Sequence, residues 1–383
     1  MALLHQYQGG RVICRKVDVT HAAWEPAPTP PGRPRRAALR SVPTVRLTKH
    51  RIQLSDGHSV QALVAGRGVP LVVVHGFAAE GLLYAQSLSR LVSLGFKVVA
   101  IDTAGHGGTA VLPHDGLELS AYSRLLGRAI SELGIRRAVF AGHSMGGRLV
   151  TELAAEDPDR VVALVLIDAI VGDAWDQIVT ACRWWPPMLG VFSAAAVIDS
   201  LATISLDDTA QTAKLARLWA KTAWGDITRP WQLLMPFLSV LRSPGSREML
   251  DTLGRAGVPV VILHGDRDFV VPMAAARDAA RRVGGDLVVI RGGTHSWLLK
   301  DPESFPAIMG DQLWGGRLGE AYEAALARCG LDPESATTAQ IEEAFYAPDA
   351  RVGALTPELV YARSDRRSEP RYEWVVESYS STE

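Results

Sequence analysis

The chain has 383 residues, 48% of them hydrophobic, and a formal net charge of −1. That size and apolar content suffice for a large core, while the near-neutral balance argues against nucleic acid as the main partner, since phosphate binding needs a basic surplus. Cys14, Cys182 and Cys329 are too few and too scattered for a disulfide framework, there is no secretory-type apolar core near the start, and no apolar run is long enough to cross a bilayer. A cytoplasmic protein without stable membrane insertion is the expectation.

Residues 1–44 read as an N-terminal extension whose stretch from Glu25 to Arg36 is a proline-rich, basic, extended linker. Val45 to Leu54 and Ser59 to Ala65 flank Asp56-Gly57, which is hairpin turn chemistry. Pro70 to Val74 is apolar without alternation, as expected of a parallel-sheet strand buried on both faces, and it runs into His75-Gly76-Phe77. Glu80 to Leu94 has helical patterning. Phe96 to Ile101 is a second buried strand, ending in Asp102 and a glycine-rich loop. That loop lacks the lysine or repeated histidine spacing of a phosphate or metal site, so Asp102 and His106 are read as loop-shaping groups bordering a pocket. Leu119 to Leu133 is again helical, and this alternation of strand and helix is the pattern of a doubly wound sheet.

The next strand, Ala138 to Ala141, leads into Gly142-His143-Ser144-Met145-Gly146 and then a helix-patterned run. A serine between two glycines at a strand-to-helix turn is the pattern of a nucleophile elbow. The sharp turn lifts the hydroxyl clear of the sheet and sets it beside a helix N-terminus, where backbone N–H groups hold a developing oxyanion. After the strand Val161 to Ile167 and Asp168, the alternation stops between Val171 and about Leu250. This stretch carries Trp175, Trp184, Trp185, Trp219, Trp224 and Trp231 of the ten tryptophans, with helical spacing from Thr209 to Trp224, and reads as a helical cap over residues 171–250. The strand ending in His264-Gly265 is followed by Asp266, Arg267 and Asp268; the spacing favours Asp268 as the site carboxylate, with Asp266 serving the turn or pairing with Arg267. Asp286 to Ile290 is the last strand and runs into Gly292-Gly293-Thr294-His295-Ser296-Trp297. Residues 313–383, with short helices from Glu320 to Cys329 and Ala339 to Tyr346, form a C-terminal helical and partly disordered extension with no evident site chemistry.

The chain order Ser144, Asp268, His295 belongs to one architecture and differs from the chymotrypsin-like and subtilisin-like orders. On these motifs the chain resembles the α/β-hydrolase superfamily, in the esterase, lipase and C–C hydrolase branch with Gly-His-Ser-Met-Gly-Gly, over roughly residues 45 to 312; Ala104 departs from the Pro or Arg of many relatives. The resemblance implies an α/β fold with a doubly wound, mostly parallel eight-stranded sheet, a core formed by residues 45–170 and 251–312, and an inserted helical cap. It implies a serine nucleophile Ser144, a histidine base His295 and an acid Asp268, with Asp168 in reserve because some relatives carry the acid there. The oxyanion donors would be the N–H groups of Phe77 and Met145. Pocket candidates are His75, Gly76, His143, Trp184, Trp185, Val270 and Trp297, although His75 at a strand end reads first as a structural residue. No metal and no cofactor is implied. The expected substrate is a small-molecule apolar or small aromatic ester; self-association is left open. Rival readings are a C–C bond hydrolase of a ring-cleavage product, a cofactor-free perhydrolase of the haloperoxidase type, and a non-catalytic ligand-binding homologue.

Overall fold

The computed structural model describes residues 2–8, 11–17, 47–77, 79–112, 116–185, 187–191, 194, 199, 231–355 and 369–380. The strands are β1 (Ala2–Gln8), β2 (Arg11–Val17), β3 (Thr48–Gln53), β4 (Ser59–Ala65), β5 (Val69–Val74), β6 (Phe96–Ile101), β7 (Ala138–His143), β8 (Val161–Ile167), β9 (Val260–Gly265), β10 (Asp286–Ile290) and β11 (Trp374–Ser378). They form one 11-stranded sheet in the order β2-β1-β11-β10-β9-β8-β7-β5-β6-β4-β3. The unbroken apolar runs account for its centre: every residue of β5, β6, β7, β8, β9 and β10 is buried, and these strands pair in parallel. A strand covered by helices on both faces leaves no position for a solvent-facing side chain. β3 and β4 form the expected antiparallel hairpin at one edge.

Strands β3 to β10 are the eight that the family resemblance implies. Beyond them β11 pairs antiparallel with β10, and the hairpin β1–β2 continues the sheet from β11. Both chain extensions therefore contribute to the sheet, where sequence reading expected only a linker at one end and helices at the other. The C-terminal stretch also packs on the core. Phe345 is fully buried, Tyr346 donates to the Gly68 carbonyl at 2.6 Å, and Glu342 accepts from the Gly68 N–H at 3.2 Å. Burying a phenylalanine side chain contributes roughly 1.5–3 kcal/mol, enough to hold such a segment in place.

The insertion between β8 and β9 is fastened at both stems. Gly172 donates to Ser246 Oγ at 2.7 Å, and Asp176 Oδ2 accepts from both the N–H and the hydroxyl of Ser246 at 2.7 and 2.9 Å. Buried Arg148, on the helix Met145–Glu156, donates to the Pro244 carbonyl at 2.9 Å. The helices Asp173–Trp184 and Trp231–Arg242 belong to this insertion; the expected helical run from Thr209 to Trp224, with Trp219 and Trp224, lies outside the described residues. No helix among the described residues is long and apolar enough to cross a membrane.

Topology fixes where a site belongs. The chain leaves β5 for β6 on one side and then returns to place β7 on the other. At such a switch point the loops leaving the carboxyl ends of adjacent strands diverge and open a crevice.

Candidate active site

Five loops at the carboxyl ends of the parallel strands converge on this crevice: Phe77 follows β5, Ser144 follows β7, Asp168 follows β8, Asp268 follows β9 and His295 follows β10. Ser144 has φ +52° and ψ −118°, a conformation that L-residues adopt only under constraint. The constraint comes from close packing around the elbow. A Cβ on Gly142 would press into the backbone of Gly146, and one on Gly146 into the carbonyls of Val74 and His75. Ser144 also donates its N–H to the Ile167 carbonyl at 2.9 Å, which ties the turn to the neighbouring strand.

The serine hydroxyl lies 2.9 Å from His295 Nε2, and His295 Nδ1 lies 2.8 Å from Asp268 Oδ2. With the ring proton on Nδ1 donated to the carboxylate, Nε2 is left to accept from the hydroxyl. Asp268 is fixed in turn by the N–H groups of Val270 and Val271, which donate to its Oδ1 at 2.7 and 2.8 Å. Burial opposes a charged imidazole, but the charge and hydrogen bond of Asp268 outweigh it, and with Asp168 and Asp199 they push His295 up to about 9. Asp268 itself sits below the usual carboxylate range: burial would raise it, and the His295 charge and hydrogen bond, with His264 and the Val271 N–H, more than reverse that.

The pocket candidates divide on inspection. His143 is buried and fully engaged: Tyr84 donates its hydroxyl to Nδ1 at 2.9 Å, and Nε2 donates to the His295 carbonyl at 2.9 Å. It braces the histidine loop. His75 accepts the Thr103 N–H at Nε2, 2.9 Å away, and donates from Nδ1 to the Gly76 carbonyl at 2.8 Å, so it shapes the loop after β5. Burial holds both rings neutral, His75 at about 4 and His143 at about 3. A Cβ on Gly76 would lie 2.8 Å from His143 Nδ1 and 3.1 Å from Ser144 Cβ, so glycine lets this loop approach the serine. Neither the Phe77 N–H nor the Met145 N–H donates to another group among the described residues, and the phenylalanine ring is partly exposed beside Phe237 of the insertion, with centroids 6.2 Å apart. Val270 is buried and serves Asp268 through its backbone.

Three expectations are corrected. Trp297 is fully buried and donates its indole N–H to Asp168 Oδ2 at 2.7 Å, so it supports the histidine loop from within the core and lines no pocket. Trp184 and Trp185, at the C-terminal end of the helix Asp173–Trp184, are 84% and 58% exposed. Asp266 reaches across to the loop after β10, accepting the Gly292 N–H at 2.7 Å, and its ion pair is with Arg291 at 3.6 Å, not with Arg267. Asp102 shapes its loop as expected, accepting from Gly81 N–H at 2.8 Å and Gln61 Nε2 at 2.6 Å.

Sequence reading missed His264, Tyr84, Phe237 and Asp199. Asp168, His264 and Asp268 offer ligand atoms within 4.8 Å of one another. Asp168 accepts from the Gly265 N–H at 2.9 Å as well as from Trp297, and His264 Nε2 donates to the Val271 carbonyl at 3.0 Å, while His264 Nδ1 has no hydrogen-bond partner among the described residues. The cluster is a hydrogen-bonded knot beneath the histidine.

Comparison with known proteins bears on the fold. Residues 69–302 match the family model described as alpha/beta hydrolase fold. Over 255 residues the chain is 34% identical to a Mycobacterium phage D29 protein named "Putative non-heme haloperoxidase", covering 66% of this chain and 90% of that one. It is 26% identical to a pimeloyl-[acyl-carrier protein] methyl ester esterase of Vibrio vulnificus, covering 63% of this chain and 92% of the relative. Among solved structures it resembles an esterase from Rhodococcus with a TM-score of 0.54 at 21% identity, covering 70% of this chain and 98% of that one, a likeness of fold.

Proposed function

Because the chain belongs to the alpha/beta hydrolase family, we propose that it is a serine hydrolase that cleaves a carboxylic ester of an apolar acyl or small aromatic substrate through an acyl-enzyme. The observation that carries this reading is the unbroken relay from Ser144 Oγ to His295 Nε2, 2.9 Å, and from His295 Nδ1 to Asp268 Oδ2, 2.8 Å. His295 takes the hydroxyl proton as Oγ attacks the acyl carbon, and Asp268 stabilises the imidazolium. The N–H groups of Phe77 and Met145 receive the oxyanion, at a helix N-terminus whose dipole favours negative charge. The histidine then returns its proton to the leaving alcohol, and water activated by the same ring releases the acid. The preference for apolar groups rests on Phe77, beside the serine loop, and on Phe237 of the insertion, whose ring packs against it with centroids 6.2 Å apart.

The test is a panel of p-nitrophenyl esters of graded acyl length, run on the wild type and on Ser144→Ala. Hydrolysis in the wild type should fall by about 10⁵–10⁶-fold in kcat in the variant; equal rates in the two would sink the mechanism. The phage relative, named a putative non-heme haloperoxidase, motivates a second reading, in which hydrogen peroxide replaces water at the acyl-enzyme and a peracid leaves. Peracid formation from acetate and peroxide, lost in Ser144→Ala, would distinguish it.

A further inference from the structure

His295 is held from three directions, and only two of them belong to the strand ends. Asp268 holds its ring, His143 holds its carbonyl, and its backbone N–H donates to Asp199 Oδ1 at 2.6 Å. Asp199 is 2% exposed and comes from the insertion between β8 and β9, 96 residues away in sequence. We propose that Asp199 is a positioning residue, a carboxylate carried by the inserted segment that fixes the backbone of His295 and lends its negative charge to the imidazolium formed when Ser144 gives up its proton. This rests on the reading of Ser144, His295 and Asp268 as the reacting groups.

Two physical arguments support it. A carboxylate enclosed in protein is costly unless donors meet it, and the His295 N–H meets Asp199 in a strong, charge-assisted bond. The bond is also made to the one residue whose ring must lie within hydrogen-bond reach of both the nucleophile and the acid. Ring placement matters steeply, because a displacement of about 1 Å of a reacting group costs on the order of a hundredfold. The charge acts in the same direction as those of Asp268 and Asp168, and all three favour the charged ring. Among the described residues, the remaining titratable groups facing the ring are His143 at the end of β7, with centroids 5.0 Å apart, and His264 at the end of β9. Both are buried and neutral, so neither cancels the effect.

Asp199→Asn and Asp199→Ala separate the two parts of the role, with kcat and kcat/KM for a p-nitrophenyl ester measured against pH. The asparagine keeps an acceptor for the His295 N–H and removes the charge. It should retain kcat at alkaline pH within a few fold, while its acid limb moves down by about half a unit or more. The alanine removes the acceptor as well, and kcat should fall about tenfold to a hundredfold at all pH values. An acid limb that stays put in the asparagine variant overturns the electrostatic role, and wild-type kcat in the alanine variant overturns the positioning role. Should the alanine variant fail to fold, the asparagine limb still decides. A fluorophosphonate probe on the wild type separates the two levels. If Ser144 is not labelled, the serine-hydrolase reading fails and this proposal fails with it; if Ser144 is labelled and both variants behave as wild type, only Asp199 loses its role.

Discussion

Two carboxylates stand at the ends of the neighbouring strands β8 and β9, both enclosed and both close to His264, at 3.6 Å for Asp168 and 3.8 Å for Asp268, yet the protein treats them oppositely. Asp168 is pushed well above the usual carboxylate range, first by burial and then by the charge of Asp268, although the Gly265 and Trp297 N–H groups pull the other way. Asp268 is drawn below it, because the imidazole of His295 outweighs the burial they share. Their backbones differ too. Asp168 has φ +43°, a strained value for a side-chain-bearing residue, whereas Asp268 sits in a turn whose own N–H groups close on its carboxylate. An acid becomes useful to a histidine through a mobile proton on its partner. Asp168 meets a peptide N–H and an indole N–H, neither of which titrates, so it serves to lock the loop after β9 to the loop after β10.

The strongest way to break this comparison is to neutralise each acid in turn. Asp268→Asn should leave the fold intact and lower kcat by about 10⁴-fold: the Val270 and Val271 N–H groups hold the amide oxygen, so its NH2 faces His295 Nδ1 and imposes the wrong histidine tautomer. Asp168→Asn should cost far less activity, around tenfold, by loosening two loops at once. Steady-state kinetics on folded variants checks both. If Asp168→Asn were the more damaging, the two residues would have to exchange roles. Next in size is the pH response. The base must be neutral to accept a proton, and its pKa is raised from 6.5 to about 9. The kcat/KM of the wild type should therefore climb through the neutral range, reach half its maximum near pH 9 and level off above that, and a limb at or below pH 6.5 would show that the carboxylates do not act on the ring as described.

Much of this arrangement is legible in the sequence, and the reason is local. An apolar run without alternation cannot be satisfied outside a doubly covered sheet, so β5 to β10 could be placed from composition alone. Ser144 follows its strand directly, and Asp268 and His295 lie within a few residues of theirs, so knowing the strand ends narrows where to look. What was missed depends on distant partners. Trp297 reaches Asp168 across 129 residues, and Tyr84 reaches His143 across 59; nothing in either neighbourhood announces the other. Trp297 was misread as a pocket residue because its place beside His295 in sequence suggests proximity to substrate, while its side chain points into the core. The strands β1, β2 and β11 escaped notice because they mix polar and apolar residues instead of forming an unbroken apolar run, and only pairing with β10 and with each other defines them.

Trp297→Phe isolates the locking function. It keeps an aromatic ring in the core and removes one N–H from a buried carboxylate. A buried acceptor deprived of its donor costs about 1–3 kcal/mol, so thermal or denaturant unfolding should register a clear loss, with kcat for any ester changed much less than in Asp268→Asn. A large kcat loss without a stability change would mean that the indole acts on the reaction directly.

The smallest effect belongs to a third carboxylate on the same edge, Asp266, which provides the control for the other two. It lies only two residues from Asp268 and also meets a peptide N–H, that of Gly292, but its side chain is 28% exposed. Its ion pair with Arg291, itself 59% exposed, is screened by water and contributes about 0–1 kcal/mol. Asp266→Asn retains an oxygen for Gly292 and gives up only that pair, so stability should move by less than about 1 kcal/mol and the pH limb should not move. Proximity in sequence would predict otherwise, since Asp266 is as near to the turn as Asp268 is. A shifted limb in Asp266→Asn would mean that charge anywhere on this edge tunes the histidine; an unmoved one leaves enclosure, and direct contact with a proton-bearing ring, as what sets Asp268 apart.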